Sequence, residues 1–302
     1  MTHPIKPKKP RVVPARMFLR MQRRHALLAM VLPHVLLVLL PLVSQVWSGG
    51  WAAFGLLFVA STLVGCMGVT VGLHRYFSHR SFKAPREMHR LIGIVSCMAA
   101  QGPVTYWVAL HRLHHTFSDE PGDPHSPNPR AWKMPDTLSG RLRAFWQGHC
   151  GWVWRHDVPM PTRYARDLMS DPVMAWVDRR YPVWVLLSVL IPTAFGAWYQ
   201  GGWSGALWGF YWGAVVRLVI VHHMIWIVNS LSHTWGRRGS DTTDTSRNLW
   251  LLALVTFGEG WHNNHHARPT LARMGWNWRQ PDPGWWFICS LQRMGLVHSV
   301  KG

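Results

Sequence analysis

Apolar residues gather along the chain into blocks of about twenty, the length a helix needs to cross a hydrocarbon layer. Residues 27–47, 51–73, 182–199 and 205–228 are four such blocks. They fall in pairs joined by short connections, Ser48-Gly49-Gly50 and residues 200–204, so the pattern predicts two transmembrane hairpins. Hydrophilic stretches, 116–180 and 232–302, predict one shared cap. A fifth apolar stretch, 91–110, is broken by Gln101-Gly102-Pro103 and is expected to lie on the membrane surface or dip into it. The fold class expected is all-α: a polytopic membrane protein with four transmembrane helices in two hairpins and a helical cap. Its parts are a basic arm (1–26), the first hairpin (27–73), the first half of the cap with an interfacial helix (74–181), the second hairpin (182–228) and the second half of the cap (229–302). No internal repeat is visible.

Charge orients this arrangement. Only 15% of residues are charged, against about 25% in soluble domains, yet the net charge is +19. Eight Lys and Arg lie between Lys6 and Arg24, directly before the first apolar block. That placement suits a segment facing anionic lipid and argues against nucleic-acid binding. The tight connections carry no Lys or Arg, whereas 75–90 and the chain from Arg237 onward carry many, so both termini and the cap are expected in the cytoplasm. A bacterial inner membrane is the expected location. The first block is too long for a signal-peptide core and ends without an A-x-A-like site, so it reads as a retained span. Cys66, Cys97, Cys150 and Cys289 form no C-x-x-C and read as free thiols. Arg217, inside the fourth block, is expected to face a polar cavity or to snorkel.

Histidine supplies the candidate chemistry. ALHRLHHTF and WHNNHHARP share the spacing H-x-x-H-H, at His111, His114, His115 and at His262, His265, His266. With 19 histidines in 302 residues, chance gives roughly 0.07 such boxes. HRYFSHR puts His74 and His79 at the end of the second block, and NSLSH puts Asn229 and His233 at the end of the fourth. Four distant stretches thus bring nine histidines to one membrane face. Residues at i, i+3 and i+4 share a helix face, while adjacent residues diverge by ~100°, so one box can address two ions. Nine imidazoles exceed the six positions of one octahedral ion, which implies two. Imidazole serves Zn, Cu, Fe and Ni alike. No H-E-x-x-H is present, and zinc has no redox chemistry, so iron acting with dioxygen on an inert hydrocarbon fits best. Among nearby acids, Asp123 and Glu259 are favoured to orient metal-bound rings, ahead of Asp119, Glu120, Asp241 and Asp244. His222, Trp107 and Trp261 are candidates for that outer layer or for a substrate tunnel.

These motifs carry a resemblance. HRYFSH, HRLHH, NSLSH and GEGWHNNHH, with QGPVTYWVALHRLHHTFSDEPGDPHSP and DTSRNLWLLALVTFGEGWHNNHH around them, resemble the membrane-bound fatty-acid desaturases, specifically the Δ9 acyl-CoA desaturase group, from about Gly72 to Pro269. The resemblance implies two non-haem iron ions, O2 as co-substrate, and insertion of a cis double bond into a saturated acyl chain. It implies that His74, His79, His111, His114, His115, His233, His262, His265 and His266 hold the irons and that Asn229 does so through a water. No catalytic residue beyond the metal centre is implied. The longer stretch 126–147 departs from the family pattern and bears on contacts to the acyl carrier. Fatty acyl-CoA, or an acyl-lipid, is the expected substrate. A separate electron donor is expected, ferredoxin or cytochrome b5 with its reductase, because no cytochrome b5 domain follows Gly302. An acyl-lipid desaturase and a fatty-acid or alkane hydroxylase are the alternatives on the same site. A metal transporter is remote, since transport sites lie near the bilayer midplane.

Overall fold

The computed structural model describes residues 9–39 and 50–302. A small ribbon departs from the all-helical expectation: β1 (Val12–Val13) pairs antiparallel with β2 (Val158–Pro159) and ties the N-terminal arm to the cap. The principal helices are α1 (residues 19–39), α2 (Trp51–Ser78), α3 (Arg86–Cys97), α4 (Val104–Phe117), α5 (Leu138–His149), α6 (Pro172–Arg179), α7 (Tyr181–Gln200), α8 (Gly202–Leu231), α9 (Trp250–Val255), α10 (His262–Ala267) and α11 (Pro283–Arg293). The first expected span is described only to Leu39; its remainder, 40–47, and residues 1–8 of the basic arm lie outside the described residues.

Among the described residues, α2, α7 and α8 are long and apolar enough to cross a membrane. They are not equivalent. The protein itself buries 59% of the apolar window of α2 and 61% of that of α8, but only 11% of that of α7. α7 is therefore the outer helix, and α2 and α8 are the inner pair on which the cap is built. α7 and α8 form a tight hairpin through small residues, as membrane helices do where backbones approach closely. A Cβ on Gly209 would come within 2.1 Å of the Pro192 carbonyl oxygen, and one on Gly196 within 2.2 Å of that of Gly205.

The fifth apolar stretch breaks into two short helices, α3 and α4, each packed against the rest of the protein. Ile92, Val104 and Val108 are fully buried. Ser96 Oγ donates to the Gly68 carbonyl at 2.8 Å, locking α3 against α2. The Asp178 carboxylate accepts the Val104 and Thr105 N–H groups at 2.7 and 3.1 Å, satisfying free donors at the start of α4. Arg217 also departs from expectation: it neither snorkels nor faces a polar cavity. Fully buried, it donates to the carbonyls of Gly213, Met98 and Ser188 and to Ser188 Oγ, at 3.0–3.1 Å, and so pins α7, α8 and the end of α3 together.

Candidate metal centre

His74 and His79 come from an unusual piece of backbone. From Thr62 to Ser78 the hydrogen bonding of α2 runs i→i+5 rather than i→i+4, a winding that occurs mostly as short insertions near functional sites. It continues one step further, with the His79 N–H donating to the His74 carbonyl at 3.2 Å. Residues five apart are thereby stacked, and the two rings lie 4.9 Å apart, edge to face. α4 presents His111, His114 and His115, and α10 presents His262, His265 and His266. His233 stands two residues past the end of α8.

The nine rings meet, and they divide. His74, His79, His111, His115 and His265 form one group, and His114, His233, His262 and His266 a second; within each, the candidate ligand atoms lie within 4.8 Å of one another. Box spacing explains the division. The i, i+4 pair of α4 (His111, His115) joins the first group and that of α10 (His262, His266) the second. The remaining histidine of each box, His114 and His265, crosses to the other group, as the angular divergence of neighbouring helical residues requires.

The geometry fits metal ions. Nε2 to Nε2 distances are 3.0 Å for His74–His265, 2.8 Å for His79–His111, 3.0 Å for His265–His115 and 2.9 Å for His233–His262. Two imidazole nitrogens at right angles on an ion with bonds of about 2.1 Å would sit about 3.0 Å apart. His114 Nε2 and His266 Nε2 are buried and have no hydrogen-bond partner. Burial, reinforced by neighbouring histidines, pushes His79, His111, His115, His262 and His265 well below the usual imidazole range, so they stay neutral as metal ligands must.

Carboxylates hold the outer ring nitrogens, the arrangement common behind metal-binding histidines. Asp123 lies 2.9 Å from His114 Nδ1, and Glu259 2.6 Å from His74 Nδ1, as expected for these two acids. Two acids ranked lower in the sequence do the same. Asp119 Oδ2 lies 2.9 Å from His233 Nδ1, and Asp244 Oδ2 2.5 Å from His266 Nδ1. Burial alone would raise both carboxyls, but the facing imidazoles hold Asp119 and Asp244 far below the usual carboxylate range. Glu259 differs: burial pushes it up to about 8 despite the nearby Arg75. Glu120 and Asp241 are exposed and touch none of the rings. His125 was not among the favoured residues, yet its ring lies 4.5 Å from that of His114 and its Nδ1 3.8 Å from Asp123.

The remaining candidates separate. Asn229 and Trp107 line a small cavity with His74, His111 and His262. Trp107 stacks on His111 at 5.1 Å, and its Nε1 donates to Gln101 Oε1 at 3.2 Å. On the other side of Gln101 a larger apolar cavity of 280 Å³ extends to α1 and β2, with Trp226, Trp152 and His222 in its wall. His222 thus lies on that cavity, away from the nine rings, its Nδ1 2.8 Å from the Leu218 carbonyl. Trp261 does not reach either cavity. Its Nε1 donates to the Pro281 carbonyl at 2.7 Å and it packs with Ala253 and Met274. The hydrogen bond to Pro281 and the packing against Ala253 and Met274 hold the indole outside both cavities, so the tunnel expectation for Trp261 is corrected.

Comparison with known proteins identifies the family. Residues 49–279 match the family model described as fatty acid desaturase. The chain is 44% identical over 245 residues to a hex-5-enoyl-[acyl-carrier protein] acetylenase of Moorena producens, covering 81% of this chain and 76% of that protein. It is 37% identical over 273 residues to an sn-1 stearoyl-lipid 9-desaturase of Synechocystis, covering 88% and 76%. An acyl-CoA C20 Delta5-desaturase of Anemone leveillei is 34% identical over 255 residues, covering 83% and 74%.

Proposed function

Because the chain belongs to the fatty acid desaturase family, and is an oxidoreductase acting on fatty acyl chains, we propose that it inserts a cis double bond into a saturated chain at a centre of two iron ions, using O2 and two electrons. The carrying observation is the division of nine buried histidines into a group of five and a group of four, each with imidazole nitrogens at ligand spacing. Irons held there would supply the reduction of dioxygen and the oxidation of C–H bonds. His74, His79, His111, His115 and His265 hold one. His114, His233, His262 and His266 hold the other, with Asn229 beside them in the cavity wall as the residue that reaches the ion through a water.

The protein's own residues do the rest. Asp119, Asp123, Asp244 and Glu259 fix the tautomers and headings of His233, His114, His266 and His74, so each Nε2 lone pair faces inward. Val69, Val228 and Trp107 exclude bulk water from the small cavity where the chain meets the centre. Methylenes offer no polar handle, so the position of the double bond is set by holding two carbons in place. Both termini and the cap face the cytoplasm of a bacterial cell in this reading, and electrons arrive from a separate carrier protein.

Expression in a host lacking its own desaturase tests the proposal, with double bonds mapped in extracted fatty acids and iron measured on purified protein. New unsaturated product and two irons per chain are expected; His262→Ala should abolish the product while the protein still inserts. Full product from His262→Ala, or an active protein without iron, would defeat it.

A further inference from the structure

The stretch 126–147, which departs from the family pattern, leads into α5, and α5 has an apolar face that the described residues leave uncovered. Leu138, Leu142 and Trp146 are 76%, 62% and 59% exposed. They recur every four residues, and each step of four turns a helix by only ~40°, so they form one stripe. The opposite side is built to pack. Gly140, Ala144 and Gly148 are buried, and a Cβ on Gly148 would come within 2.7 Å of the Pro127 nitrogen, so this side lies close against the cap. Arg141 stands ~60° outside the stripe at one edge and Arg143 ~60° outside it at the other, and both are exposed. From residue 126 to 149 the chain carries four Lys and Arg against a single acid, Asp136.

His149 fixes the direction in which the stripe faces, because it lies three turns on from Leu138 and in line with it. Its Nε2 is 3.0 Å from His223 Nδ1, and its Nδ1 is 3.0 Å from Ser230 Oγ. Both partners stand in the last third of α8, one of the helices long and apolar enough to cross a membrane. His223 Nε2 in turn lies 2.9 Å from His34 Nε2 on α1. One end of the stripe therefore abuts the apolar helices, and the rest of it faces the same side. We propose that α5 lies in the plane of the bilayer surface, with Leu138, Leu142 and Trp146 among the acyl chains and Arg141 and Arg143 at the phosphates of anionic lipid. An apolar face edged by arginines is the form such helices take, the long side chains reaching back to the headgroups. Asp136, 2.6 Å from Arg141, offsets that charge in part, so Arg143 carries more of the attraction. Docking also steadies what α5 connects: His125, whose ring lies beside that of His114, on one side, and Trp152, in the wall of the larger cavity, on the other.

The test uses the full-length protein in vesicles of phosphatidylcholine mixed with phosphatidylglycerol. Leu138→Cys, Leu142→Cys, Trp146→Cys, Arg141→Cys and Arg143→Cys are made one at a time in a Cys289→Ser background and spin-labelled; Cys66, Cys97 and Cys150 are buried. In power-saturation EPR, dissolved oxygen relaxes labels in hydrocarbon and a water-soluble nickel chelate relaxes labels in water. The three stripe labels should respond to oxygen and sit roughly 5–10 Å below the phosphates, whereas the two labels at the arginine positions should respond to nickel. Vesicles of phosphatidylcholine alone should move the stripe labels outward, as should Arg143→Gln with the anionic lipid retained. Nickel reaching the stripe as readily as its edges would overturn the proposal. Stripe labels shielded from both reagents would overturn it too, since that marks a second protein copy on this face. Depth unaffected by lipid charge and by Arg143→Gln would overturn the role given to the arginines. These readouts need neither iron nor turnover, so their outcome is independent of the desaturase reading.

Discussion

Asp119 offers a sharp test because it serves one metal group only. Its Oδ2 accepts from His233 Nδ1 at 2.9 Å, from the Thr245 N–H at 2.8 Å and from Thr245 Oγ1 at 2.7 Å. Its Oδ1 accepts from Ser126 Oγ at 2.6 Å. In Asp119→Asn the amide oxygen can take the Oδ2 position and keep the three donors, with the new N–H turned to Ser126 Oγ. Only the negative charge behind His233 is then lost. Removing a partner behind a metal-bound histidine weakens metal binding about 10- to 100-fold. The conservative change belongs near the lower figure, ~1.4 kcal/mol, and Asp119→Ala, which strands every donor, near the upper, ~2.7 kcal/mol. The assay is iron per chain under increasing chelator. Wild type should release its two irons within one narrow range. Asp119→Ala should lose the iron of the four-histidine group first and show a plateau at one iron per chain, with Asp119→Asn between the two. None of the five other histidines touches Asp119 in this structure, so simultaneous loss of both irons, or retention of both at wild-type chelator levels, would refute the reasoning.

Three further outcomes follow from packing and charge. Arg217→Met leaves the Met98 and Ser188 carbonyls without donors inside the protein and should cost about 3 kcal/mol; thermal melting in detergent should fall measurably, and an unchanged melt would contradict the pinning role. Gly209→Leu forces a side chain into the Pro192 carbonyl and should destabilise the α7–α8 hairpin by at least 1–3 kcal/mol, read as loss of folded protein in membranes, while the same change at Gly55, where a Cβ meets nothing within 4 Å, should be tolerated. Burial alone would raise the Asp167 carboxyl, but hydrogen bonds from Arg112 and Arg80 outweigh it and hold Asp167 at about 2. Its folded value is below the ordinary 3.8, so its contribution is complete above that value and fades as pH falls through about 2. Asp167→Asn should therefore lower the melting temperature equally at pH 7 and pH 5, with the gap closing below pH 4; a gap that widens on acidification would reverse the sign of this argument.

What could be read from sequence and what could not divide along one physical line. Six of the nine histidines were legible from local helical spacing: i, i+3 and i+4 positions repeat within each box. The exchange of His114 and His265 between groups follows from the same spacing. Asp123 and Glu259 lie close in sequence to boxes and were favoured; Asp123 stands only nine residues from its histidine, whereas Glu259 serves His74, far off in sequence, rather than a ring of the box beside it. Asp119 faces His233 across 114 residues, and no local pattern announces such a pairing. Asp244 sits in a loop whose course is set by Asn248, Asn263 and Ser246 rather than by any periodicity. The i→i+5 winding of α2 was equally silent, because an apolar block reads the same whichever way it is wound. Yet that winding brings His74 and His79, five apart, to one group, where an ordinary α-helix would turn them ~140° away from each other. The apolar content of the block makes it long and apolar enough to cross a membrane, but its winding is seen only in the folded chain, where it packs against α3 and α8. The contacts most distant in sequence are thus the ones that aim the ligands, and they are the ones that only the folded chain discloses.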